Sequence, residues 1–217
     1  MVTFKEIEQD ILNYVRQVLD SSNSSGHPRK VRIGYSRFQH TLRVYKWMVM
    51  LYTAYPERES VDFDALAIAT LFHDIGYCDE AHQREHARIS PHFCREFLQK
   101  IQYPAERIDF ICQIIAAHSD KQLLEDPTIP PELVLLLEAD LLDDTGAQAI
   151  VLDVWTKAMD TAPSFETFHK EMARVSGRIL STCPMRTAKG QEIWHRKQQL
   201  VKDFLEAYAL DISIIQD

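Results

Sequence analysis

The chain has 217 residues, 46% of them hydrophobic and 26% charged, with a formal charge of −8. These proportions are those of a globular chain with enough apolar material for a sizeable core, and they exclude disordered, collagen-like and low-complexity classes. The acidic balance argues against sequence-blind binding to a nucleic-acid polymer or an anionic membrane, both of which need a basic face.

Lys5, Glu6, Glu8, Asp10, Arg16 and Asp20 interrupt the start of the chain, so no apolar run there serves as a secretory signal or membrane span, and a cytoplasmic location is expected. Cys78, Cys94, Cys112 and Cys183 stand at unrelated spacings without C-x-x-C, which suits reduced thiols. With only 6 glycines and little period-2 alternation, hairpins have little material and the expected class is all-α.

Phe4, Ile7, Ile11, Tyr14, Val15 and Val18 form one apolar stripe at helical spacing, and the polar run Ser21 to Gly26 ends that first helix. A second helix is predicted from Ser36 to Tyr55, before Pro56. A third runs from Asp62 to Gly76, where glycine suits a C-terminal cap. Arg84 to Lys100 reads as helix, with Ser90-Pro91 either a kink or a new start. Pro104 opens a segment to His118, a loop covers Ser119 to Pro130, and Pro131 opens another segment ending near Asp144. Three or four more helices fill the remainder, with breaks near Pro163 and Pro184. No repeat or linker composition appears, so one helical-bundle domain over 1–217 is expected, its core at about 36–145 and helices of 147–217 packing on it.

The chemistry sits in His40, the adjacent pair His73-Asp74, His86, His118 and Asp140. His40 shares a helix face with Val44, Trp47, Met48 and Leu51, His118 with Ile108, Ile111 and Ile115, and Asp140 with Leu133, Leu136 and Leu137. All three therefore point inward. An inward carboxylate without a cation or several donors costs several kcal/mol. A single inward histidine is an ordinary core residue, but four histidines with two carboxylates are hard to satisfy without a metal ion. Imidazole nitrogens and carboxylate oxygens suit zinc, iron, manganese and related ions, and facing helices can aim them at one point.

This order of residues resembles the HD-domain metal-dependent phosphohydrolases: a histidine, a His-Asp pair, then a distal aspartate. His40, His73-Asp74 within Leu71-Phe72-His73-Asp74-Ile75-Gly76, and Asp140 within Glu138-Ala139-Asp140-Leu141-Leu142-Asp143 carry the likeness. Asp140 to Ile150, Thr187 to Gly190, Arg196 and Phe204 extend it to the branch containing nucleoside triphosphate pyrophosphatases, although Leu141 stands where that branch usually has Arg. The resemblance implies a helical bundle with a metal site at its centre and His40, His73, Asp74 and Asp140 as ligands. It implies Asp74 bridging two ions in dinuclear members, with His86 and His118 placed as the extra ligands. The short step from His73 to His86 leaves one ion or two open, and Fe, Mn, Co, Zn, Ni and Mg all remain candidates, with a transition metal favoured.

The activity so implied is hydrolysis of a phosphoester or phosphoanhydride of a nucleotide or other small phosphorylated metabolite. A divalent ion lowers the pKa of its water from 15.7 toward ~7, which makes hydroxide available for the attack, and it polarises phosphoryl oxygens. Asp74 is the catalytic centre and Glu85 a proton-transfer candidate, while Arg37, Arg84, Arg88 and Lys121 are candidates to hold phosphate. The alternative within the same fold is a di-iron oxygenase acting on a small phosphonate-like or polyol substrate. The partner is a small molecule, and homo-oligomerisation is open. Cys78, His82 and His86 at steps of four make a weaker metal candidate, and Tyr45, Trp47, Met48 and Met50 read as packing.

Overall fold

A computed structural model describes residues 2–21, 36–160 and 164–213. The polar run after Ser21 and the break at Pro163 fall outside them. Among the described residues there is no strand, and nine α-helices succeed one another: α1 (Phe4–Ser21), α2 (Arg37–Ala54), α3 (Phe63–Phe72), α4 (His86–Lys100), α5 (Ala105–Ala117), α6 (Pro131–Asp143), α7 (Ala147–Asp160), α8 (Phe165–Ser181) and α9 (Ala188–Ile212). No helix among them is long and apolar enough to cross a membrane. The chain forms two compact units, Met1–Asp140 and Leu141–Asp217.

In the first unit α3 is the axis. Every residue from Ala65 to Phe72 is buried, so this helix has no polar face, and it packs against α1, α2, α4 and α5. Its start is pinned three times. Asp62 Oδ1 accepts from the Ala65 amide at 3.0 Å, Glu132 Oε1 accepts from the Asp62 amide at 2.6 Å, and Arg107 of α5 pairs with Asp62. At its far end Phe72 meets Tyr14 and Phe97 in an aromatic cluster with centroid distances of 6.1 and 5.6 Å. The His73-Asp74 pair, next in the chain, is thereby delivered to the middle of the unit.

Several helix ends differ from the sequence expectation. The third helix stops at Phe72 rather than Gly76, because the backbone leaves helical geometry at Asp74 (φ −108°, ψ 7°) and tightens into a 3-10 turn, Ile75–Cys78. Gly76 is not a left-handed cap: it is needed for closeness, since a Cβ there would lie 2.4 Å from the His86 carbonyl oxygen. A second 3-10 stretch, Glu80–Glu85, precedes α4, which starts at His86 and runs continuously through Pro91. Pro104 stands before α5 as its N-cap, and the expected loop after His118 contains a 3-10 turn, Lys121–Glu125. Ser36 caps α2 by accepting from the Gln39 amide at 3.1 Å.

The second unit has its own small core of Ile150, Phe168, Met172, Val201 and Leu205. Gly146 has φ +85°, where a side chain would be strained, and the Lys197 ammonium donates to the neighbouring Thr145 carbonyl at 2.8 Å. Thr187 caps α9 by accepting from the Gly190 amide, and Lys189 and Arg196 both pair with Glu192.

Candidate metal centre

Three of the histidines are built by the same local device. His73 stands where α3 stops, and its Nδ1 lies 2.7 Å from the Thr70 carbonyl, three residues back. His118 stands where α5 stops, with Nδ1 2.6 Å from the Ile115 carbonyl. His86 closes the second 3-10 stretch, with Nδ1 3.0 Å from the Gln83 carbonyl. A carbonyl oxygen only accepts, so each ring carries a proton on Nδ1 and turns Nε2 the other way. A helix that ends in histidine thus caps itself and presents one ring nitrogen.

Those nitrogens converge on Asp74. Oδ2 lies 3.4 Å from His40 Nε2 and 3.6 Å from His73 Nε2, while Oδ1 lies 3.4 Å from His86 Nε2 and 3.3 Å from His118 Nε2. Asp140 joins the Oδ2 side, its Oδ1 3.2 Å from His40 Nε2 and 3.9 Å from His73 Nε2. One carboxylate therefore separates two sets of donors. The atoms of His40, His73 and Asp74, and those of Asp74, His86 and His118, each lie within 4.8 Å of one another.

The donor set fits a divalent cation. His73 Nε2 is buried and has no hydrogen-bond partner, and a buried polar atom left so costs roughly 1–3 kcal/mol. Burial, opposed by Asp74 and Asp140, lowers the pKa of His73 to about 4, so at neutral pH its Nε2 offers a lone pair to a carboxylate. Two electron-rich atoms facing each other repel, and a cation between them turns repulsion into attraction. Donors about 2.1 Å from one ion lie roughly 3–3.5 Å apart, close to the spacings here. The negative ends of α3 and α5, at His73 and His118, favour positive charge as well.

The two carboxylates are held ionised. Burial pushes the Asp74 carboxyl up, but His73, His118, His40 and Arg37 together keep it well below the usual carboxylate range. Asp140 shows the same pattern, with Lys121 the largest opposing influence. Arg37 donates to Asp74 Oδ2 at 2.9 Å, and Lys121 donates to Asp140 Oδ2 at 2.5 Å and to the His118 carbonyl at 2.8 Å. The side chains of Arg37 and Lys121 are 31% and 28% exposed, so both reach from the buried carboxylates toward solvent.

Other candidates are placed differently. Arg84 is exposed, and Glu85 accepts from the Arg88 guanidinium at 2.5 and 2.8 Å in a surface pair. His82 pairs with Asp79 at 3.0 Å rather than joining Cys78 and His86. Met48 is buried, and Tyr45, Trp47 and Met50 are half-buried. Sequence reasoning overlooked Tyr77, whose ring stacks on His86 with centroids 4.1 Å apart and lies under the Arg37 guanidinium at 3.8 Å. Its position three residues after Asp74 was the available clue.

The HD domain family model matches residues 37–145, which include all six converging side chains. No curated protein sequence matches the chain. Among solved structures, Bacillus subtilis YpgQ is 19% identical over 99% of this chain and 100% of its own, with a TM-score of 0.67. YpgQ in complex with ADP gives 19% identity, 99% of each chain and 0.63. A predicted HD superfamily hydrolase from an uncultured Thermotogales bacterium gives 20% identity over 95% of this chain and 94% of that one, with a TM-score of 0.62. At these identities the likeness is one of fold.

Proposed function

The chain belongs to the HD domain family, and from that premise we propose that it is a metal-dependent phosphohydrolase cleaving a phosphoester or phosphoanhydride of a nucleotide or other small phosphorylated metabolite. The observation that carries the reading is Asp74, a buried carboxylate with imidazole nitrogens at 3.3–3.6 Å from both of its oxygens. A divalent cation held there supplies Lewis acidity to a phosphoryl oxygen and lowers the pKa of its water toward ~7. His40, His73, Asp74 and Asp140 would hold one ion, and Asp74, His86 and His118 a second.

The protein's own groups do the rest. His73 stays neutral at pH 7 and so remains a donor, and Asp74 stays anionic. Arg37 and Lys121, each anchored on a ligand carboxylate and each partly exposed, reach the phosphoryl oxygens and offset their charge. Arg84, Arg88 and Glu85 adjoin His86 in sequence, but Glu85 and Arg88 pair with each other at the surface, so the phosphate-holding role falls to Arg37 and Lys121. The ADP bound by YpgQ supports a nucleotide as the substrate class.

The test is elemental analysis of the purified protein, and then phosphate, pyrophosphate and nucleoside release from a nucleotide panel with Mn²⁺, Co²⁺ or Mg²⁺. Product release that a chelator abolishes is expected. Two irons per chain with a charge-transfer band and oxygen uptake, and no product from any nucleotide, would replace the hydrolase with the oxygenase.

A further inference from the structure

The Oδ1 side of Asp74 depends on His86, and His86 is the least firmly held of the four histidines. Its side chain is 14% exposed, against 1% or less for His40, His73 and His118. It succeeds a 3-10 stretch that contains a residue outside helical geometry, His82 (φ −122°, ψ 33°). The hydrogen bond from Nδ1 to Gln83 fixes one direction within the ring plane. Rotation of the plane about that direction is left to another contact, and a metal ligand has to be held to within about 10–20° of its productive orientation.

Tyr77 supplies that contact. Its ring lies on His86 at 4.1 Å with an interplanar angle of 20°, a parallel stack that sets the plane of the imidazole. The other face of Tyr77 carries the Arg37 guanidinium at 3.8 Å, and that guanidinium donates to Asp74 Oδ2. The three side chains form a column from one oxygen of Asp74, around its edge, to the ligand of the other. Gly76, pressed against the His86 backbone, brings Tyr77 into register with the ring it covers.

We propose that Tyr77 is a positioning residue that prepares His86 for a second divalent cation, and that it does so through its ring face and not through its hydroxyl. The proposal rests on the reading of His86 as a ligand. It goes beyond that reading by assigning the second ion's affinity to an aromatic side chain outside the proposed ligand set.

The experiment is a titration of the metal-free full chain with Co²⁺, read by visible absorption and by elemental analysis after desalting, for the wild type and for Tyr77→Phe and Tyr77→Leu. The wild type and Tyr77→Phe are expected to take two ions per chain. Tyr77→Leu is expected to keep the first ion and to bind the second about 10- to 100-fold more weakly. The retained first ion reports that the fold is intact, and if Tyr77→Leu does not fold, the same titration on Tyr77→Met decides. Wild-type affinity for both ions in the leucine or methionine variant overturns the proposal. So does loss of the second ion in Tyr77→Phe, which would assign the effect to the hydroxyl. A wild type that binds one ion also overturns it while leaving hydrolysis by a mononuclear centre standing. Two bound ions without phosphate release would count against the proposed function alone.

Discussion

The two oxygens of Asp74 face differently constructed halves. On the Oδ2 side, His40 comes from the buried face of α2 and His73 from the end of α3, and Arg37 and Lys121 balance the carboxylates. On the Oδ1 side, one imidazole, His118, is equally buried, but the other, His86, comes after an irregular 3-10 stretch and leans on a tyrosine. The first half is held by the packing of the central helix. The second is held by a few local contacts. Helix ends in a well-packed core give preorganised donors, whereas donors at the junctions of short turns need extra support.

The strongest blow falls on both halves at once. Asp74→Asn removes the charge they share, and metal affinity is expected to fall at least about 100-fold on each side, with activity lost, while far-UV circular dichroism stays helical. Retention of either ion by this variant would break the picture of a shared carboxylate.

Acid tests the same arrangement through protons. The folded pKa of His73 is about 4 against an ordinary 6.5, so the unfolded chain takes up a proton in that interval that the folded chain refuses. The metal-free protein should therefore lose stability as pH falls from about 6.5 through 4, by up to about 3 kcal/mol when the interval is fully crossed. The lowered carboxyl pKa of Asp74 acts in the same direction at still lower pH. Thermal unfolding between pH 7 and 4.5 reads this, and a flat Tm would contradict the buried neutral imidazole. Because His86 is also lowered, chiefly by burial, metal affinity should persist below the pH at which free imidazole protonates.

Gly76→Ala sharpens the contrast by striking one half. The added Cβ would meet the His86 carbonyl, a backbone atom that cannot easily move, so a loss of about 1–3 kcal/mol is expected together with preferential loss of the ion on the Oδ1 side. Equal loss on both sides would show the halves to be one mechanical unit. The smallest effect is expected for Arg88→Ala, whose guanidinium is 73% exposed and engages Glu85. Turnover should change by less than about threefold, since exposed pairs contribute little. A larger fall would return Glu85 and Arg88 to the chemistry.

Much of this centre is legible from spacing alone, since His40, His118 and Asp140 lie on buried faces with apolar residues at three- and four-residue steps. The all-helical class comes from the same periodicity. Helix ends were less legible. Gly76 looks like a cap in one dimension, but its role is set by the approach of a backbone ten residues further on. Arg84, Glu85 and Arg88 adjoin a candidate ligand in sequence and yet are exposed: Arg84 and Glu85 sit in an irregular stretch that gives no face on which to place them, and Arg88 lies on the outer face of α4. Tyr77 was invisible for the opposite reason: its partners are brought to it by tertiary packing.

The segments that meet at Asp74 are drawn from residue 40 to residue 140, so an ion seated there would tie together loops spanning most of the first unit. Such a tie acts by mass action: an ion that binds the folded chain and not the unfolded one stabilises the fold only while the site is occupied. Scarcity of metal would then be felt as shortened lifetime of the folded protein as well as lost turnover, and a cell's ion supply would set how long each molecule survives proteolysis.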